Sequence, residues 1–105
     1  GVRTAAEFAR DKDDRIAGVL LTAEETKATW DAMFPGKPGP VRLGVMVSQS
    51  DPETAFVAGF DAGGCLVGSG SLPFGVVLDA MVKVDVQSAF VIIEPAKAEP
   101  PGEGA

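Results

Sequence analysis

The spacing of apolar residues changes period along this chain, and each change marks an element. The opening Thr4-Ala5-Ala6-Glu7 is a capping-box pattern, in which Thr and Glu side chains satisfy the free N–H groups of a starting helix. It predicts a short helix over Ala5 to Arg10 anchored by Phe8. The acidic stretch Asp11 to Asp14 ends that helix, because Asp competes for local backbone hydrogen bonds. Arg15 to Leu21 reads as a short strand or extended connection. Thr22 and Glu25 repeat the capping box and open a better helix, Ala23 to Phe34, whose acidic first turn suits the positive end of the helix dipole. Ala23, Lys27, Trp30, Met33 and Phe34 form its predicted inward stripe. Pro35-Gly36-Lys37-Pro38-Gly39-Pro40 stops it as a stiff loop, since proline lacks an N–H and fixes φ.

From Val41 the pattern alternates. Val41, Leu43, Val45 and Val47 share one face, and Arg42, Gly44, Met46 and Ser48 the other, as in a half-buried strand. After a polar turn over Gln49 to Glu53, Thr54 to Phe60 predicts a second strand with Phe56, Ala58 and Phe60 on one face. Asp61-Ala62-Gly63-Gly64 then turns the chain into a third strand, Cys65 to Ser69. Ser71 and Pro73 start another helix, with Phe74, Val77, Leu78 and Met81 at helical spacing. Val86 to Glu94 is the last strand, apolar on both faces at Phe90 to Ile93, a pattern that belongs in mid-sheet or at an interface. Pro95 to Ala105 has no large apolar side chain and predicts a disordered tail.

This order predicts an α+β fold: one domain over residues 1–94, with a largely antiparallel sheet of four to five strands and two to three helices on one face. A chain of 105 residues suits one domain. Its net charge of -6 repels phosphate backbones and anionic lipid, so nucleic acid and membrane surfaces are not expected partners. The apolar runs are far shorter than the ~18 residues that span a bilayer. The cytoplasm is the default compartment, although a cleaved secretory signal would leave the same sequence.

Candidate chemistry is sparse. The chain has no His and one Cys, which removes the commonest general base and any multi-cysteine metal cage, so no metal or cofactor is expected. Asp11 to Thr22 begins like a calcium loop. It then places Ile16 where the turn glycine belongs and Thr22 where the bidentate Glu belongs. The pairs Asp51 with Glu53 and Asp79 with Asp85 read as solubilising surface charge. Cys65 reads as a small core residue, and Trp30 as core packing. Gly68, Ser69, Gly70 and Ser71, placed between a strand and a helix, are the candidate ligand-binding residues, because bare amides beside a helix N-terminus hold anions. They match neither the phosphate loop nor the dinucleotide fingerprint.

The segment Phe60-Asp61-Ala62-Gly63-Gly64-Cys65-Leu66-Val67 resembles the central hairpin of profilin-like and roadblock-type domains. The likeness covers one hairpin and implies no activity. Two functions follow from the residues. The leading one is a non-enzymatic protein-interaction or assembly module that pairs with a second copy or another protein through Val86, Phe90 and Ile92 on the last strand. The alternative is a small-ligand or enzyme domain built on the Gly63 to Ser71 loop and the helix that follows.

Overall fold

A computed structural model of the chain describes residues 14–93. In chain order the elements are β1 (Ile16–Leu20), α1 (Ala23–Met33), β2 (Arg42–Ser48), β3 (Asp51–Phe60), β4 (Leu66–Pro73), α2 (Phe74–Lys83) and β5 (Val91–Ile93). The strands form one five-stranded sheet in the order β4-β3-β2-β1-β5, antiparallel at each junction. The predicted α+β class is the observed one. The expected helix at Ala5 to Arg10 and the tail from Pro95 lie outside the described residues.

The two helices cover one face of the sheet. Val19, Leu21, Leu43, Val45 and Ala55 look up from the strands at Val77 and Met81 of α2, while Trp30 and Met33 of α1 pack against the same cluster. The alternation predicted for β2 is present, with Leu43 and Val45 buried and Val47 against the core.

Helix α1 begins where its capping box places it. The Glu25 N–H donates to Thr22 Oγ1, and the Thr22 N–H donates to Glu25 Oε1, both at 3.1 Å. Its inward face is rotated from the predicted stripe. Thr26 and Thr29 are fully buried, whereas Ala23 and Lys27 are exposed. Thr26 is tolerated there because its Oγ1 accepts the Leu43 N–H at 2.9 Å, which ties the helix to β2. Thr29 Oγ1 is buried with no partner.

Glu25 also reaches across the fold. Its Oε2 accepts from the Gln87 N–H at 2.7 Å and the Ser88 N–H at 3.0 Å, and Oε1 accepts the Ser88 hydroxyl at 2.6 Å. One carboxylate therefore caps α1 and holds the connection that leads from α2 to β5. The Ser88 hydroxyl, then the Thr22 N–H, lowers its pKa from 4.5 to about 2. A second carboxylate pins the opposite end of β1. Asp14 Oδ2 accepts from the Ser48 hydroxyl and from the Ser50 N–H, so the strand start is tied to the β2–β3 turn. The Ser48 and Ser50 hydroxyls hold its carboxyl below the usual range.

Three expected elements come out differently. The third strand continues through Ser69 to Pro73, because each of these residues pairs with β3, from Ala58↔Ser69 to Thr54↔Pro73. Helix α2 accordingly starts at Phe74, and Ser71 does not cap it. The last strand shrinks to Val91–Ile93. Val86 and Phe90, expected at an interface, instead pack against the core before it, Phe90 edge-on to Phe74 with ring centroids 5.8 Å apart. The chain needs residues 84–90 to return across the sheet from α2, and their apolar members fill the core margin on the way.

Three substitutions test this account. Thr26→Val leaves the buried Leu43 N–H without an acceptor and should cost about 1 to 3 kcal/mol in chemical denaturation. Thr29→Val removes a buried hydroxyl that has no partner and should be neutral or stabilising by up to about 1 kcal/mol. Glu25 has a folded pKa below its unfolded one, so its contribution is complete above pH 4.5 and is lost as the pH falls towards about 2. Glu25→Gln should therefore be less stable than the parent at neutral pH, and the difference should shrink across that acid window. A difference that stays constant with pH would remove the clamp.

Candidate functional site

The five-stranded sheet has a second face, opposite the helices, and the strand registers say which side chains form it. Across the strands, Val91, Gly18, Met46, Phe56 and Ser71 make one row. Leu20, Gly44, Ala58 and Ser69 make the next, and Arg42 sits beside Phe60 at one end. Ile93 pairs with Ile16 at the other end. The phenylalanines of β3 therefore point away from the core, because Ala55, Val57 and Gly59 are the residues that face the helices. No helix among the described residues lies over these rows. Leu20 is 50% exposed, Val91 61% and Ile93 40%. An open depression of about 740 Å³ is lined by Gly44, Leu20, Met46, Phe60, Val91 and Ile93, with Ile93 lying over Gly18 so closely that a Cβ there would fall 2.7 Å from its Cδ1. Arg42 supplies the charge at the Phe60 end, where its Nε donates to the Leu21 carbonyl at 2.6 Å, and Asp51 lies opposite Ser48 at the Ile16 end.

A groove lies on the helix side of the sheet, at the β4 edge. Its wall is Trp30, Phe34, Pro38 and Pro40, its floor is Val57, Gly59, Gly68 and Gly70, and its volume is about 430 Å³. The proline-rich loop after α1 builds the wall by lying directly on the indole. A Cβ at Gly39 would fall 2.5 Å from Trp30 Cγ, so only glycine allows that approach. Trp30 also meets Phe34 at a centroid distance of 4.8 Å. No charged residue lines this groove.

Gly68, Ser69, Gly70 and Ser71 are brought together, but inside β4 rather than in a loop before a helix. Their alternation splits them. Gly68 and Gly70 lie opposite Gly59 and Val57 on the groove side, and Ser69 and Ser71 lie opposite Ala58 and Phe56 on the helix-free face. Of the three expected interface residues, Ile92 alone is an exposed strand residue, on β5. Cys65 is exposed in the β3–β4 turn and not in the core, because Asp61 Oδ1 accepts the Gly63 and Cys65 N–H groups at 2.9 Å and builds the turn around itself. Asp51, Glu53, Asp79 and Asp85 are all exposed. Among the described residues no three His, Cys, Asp or Glu side chains gather as a metal site, and no helix is long and apolar enough to cross a membrane.

The sequence carried signals for both surfaces. The alternation of β2 and β3 named the residues of the second face without saying which face the helices would take. The Pro and Gly loop announced a rigid segment, but not that it would lean on Trp30. No protein-family model, curated protein or solved structure matches the chain.

The groove wall can be tested by itself. Gly39→Ala should push the indole out of place, lowering stability by about 1 to 3 kcal/mol and shifting Trp30 fluorescence. An unchanged emission spectrum would mean that the loop does not rest on Trp30.

Proposed function

We propose that this chain is a non-enzymatic assembly module that pairs with a second copy of itself through the helix-free face of its sheet. The observation that carries this reading is the set of Leu20, Met46, Phe56, Phe60, Val91 and Ile93 on a face that no described helix covers. Five strands about 4.8 Å apart, over five residues of about 3.4 Å each, give that face a footprint of about 400 Å². The largest apolar patch on a soluble monomer is commonly of this size, about 300 to 600 Å², and is often functional.

A second copy is favoured by symmetry. Two chains of net charge -6 repel each other, and the carboxylates of this face, Asp51 opposite Ser48 and Asp14 bonded to Ser48, are confined to its Ile16 end. An apolar sheet face is self-complementary about a twofold axis, the arrangement of most homodimers, and two sheets stack face to face about 10 Å apart. Two such footprints bury about 800 Å² in all, below the ~1,200 Å² of stable specific interfaces, so the dimer should be weak and concentration-dependent. Residues Val86 and Phe90 take no part, and β5 contributes only Val91 and Ile93.

Sedimentation across a concentration series tests the proposal. The parent should pass from monomer to dimer as concentration rises, and the dimer should tighten with added salt, which screens the mutual repulsion. Leu20→Ser with Val91→Lys, both at exposed positions, should leave a folded monomer. A parent that stays monomeric at millimolar concentration and high salt would refute the reading.

A further inference from the structure

The sheet has two edges, and they are treated differently. β5 is three residues long, which blunts it against accidental pairing. β4 runs for eight residues, Leu66–Pro73, with no charge along it and its proline only at the last position. Every residue of β4 except Leu72 is exposed. In an antiparallel sheet, alternate residues of an edge strand direct their N–H and C=O groups outward, so β4 offers a ladder with no partner among the described strands.

The glycines of β4 add a second, independent observation. Glycine weakens a strand and is kept in one where the backbone takes an unusual conformation or where something approaches closely. Neither Gly68 nor Gly70 has positive φ. A Cβ built at either meets nothing within 4 Å, in contrast to Gly59 next to them, where it would fall 2.7 Å from Pro40. Nothing described within the chain requires glycine at 68 or 70. Both form the floor of the groove walled by Trp30, Phe34, Pro38 and Pro40.

We infer that β4 is a strand-addition site for an extended segment of another protein. The segment pairs with the outer edge of β4 and seats a bulky aliphatic side chain over Gly68 and Gly70 against Trp30 and the prolines. The groove has no charged lining, so the seated residue is apolar. The net charge of -6 favours basic residues flanking it. A second copy fits poorly, since its own β4 would bring glycine to glycine over the same floor, and its Leu72 is already packed in its own core.

The probe is the synthetic peptide Arg-Val-Thr-Leu-Thr-Val-Arg, read by the fluorescence of Trp30, the chain's one tryptophan. Saturable binding with a shift in Trp30 emission is expected, along with at least a tenfold loss when alternate peptide amides are N-methylated. Gly70→Val fills the groove floor in a position with open space. It should fold with an unchanged or higher Tm, because valine suits strands, and should lose peptide binding at least tenfold. Leu20→Ser, on the other face, should bind the peptide like the parent, which keeps this result separate from that for self-association. Three results overturn the inference: no saturable binding, equal binding by a well-folded Gly70→Val variant, or equal binding by the N-methylated peptide. A change of oligomeric state in Gly70→Val would also overturn it, by making a second copy the occupant of β4.

Discussion

A sheet has two faces, and in this fold the described helices cover only one. Helices α1 and α2 pack on each other and share the same set of strand residues, from Val19 to Ala55. Burial on that side comes from side chains of modest size, Leu21, Leu43, Val45, Val77 and Met81. Two of the largest, Phe56 and Phe60, are assigned to the other side by the register of β3 with β2. A one-residue slip would exchange the faces completely. That register is held at both ends, by Asp14 tying down the β2–β3 turn and by the Val41 N–H donating to the Phe60 carbonyl at 3.0 Å. The polar knot around Asp14 thus helps decide which apolar residues are core and which are surface.

Local chemistry was the most legible part of the sequence. The Thr22 and Glu25 capping box, the alternation of β2 and the turn at Asp61 are each determined by neighbours a few residues away, and each is present as read. What could not be read depended on distant partners. The inward face of α1 is turned because threonine counts as polar in a periodicity argument, yet Leu43 supplies Thr26 with the hydrogen bond that makes its burial tolerable. Gly68 to Pro73 carries every local mark of a loop, but pairing with β3 holds it extended, since strand formation answers to cross-strand context more than to propensity. Val86 and Phe90 look like strand residues by composition. Glu25 instead fastens residues 87 and 88 to the start of α1, so the chain crosses the core margin before it reaches β5.

The candidate surfaces were legible in proportion to the same rule. Their residues were all visible as apolar or glycine positions, but a surface is defined by what does not cover it, and that is a property of the assembled fold. Ser69 and Ser71 illustrate the point, since they lie on the opposite side of the sheet from Gly68 and Gly70. Pairing with β3 turns these four residues from a loop into one stretch of edge strand, and all four line the groove.

The groove exists because the loop from Pro35 to Pro40 behaves in opposite ways at its two sides. Towards α1 it is packed so closely that Gly39 has no room for a methyl group beside Trp30, and towards the sheet Pro40 closes on Gly59 just as tightly. One step further along the sheet, over Gly68 and Gly70, the packing stops. Had the space there served only to let the loop fold, the loop or α2 would extend over β4 and the glycines would be crowded like Gly39 and Gly59. A rigid apolar wall ending above an uncrowded glycine floor, next to an edge strand with half its backbone groups directed outward, leaves hydrogen-bonding capacity and apolar surface in register with each other. An added strand satisfies both at once, whereas a small molecule in the groove would leave the ladder unpaired.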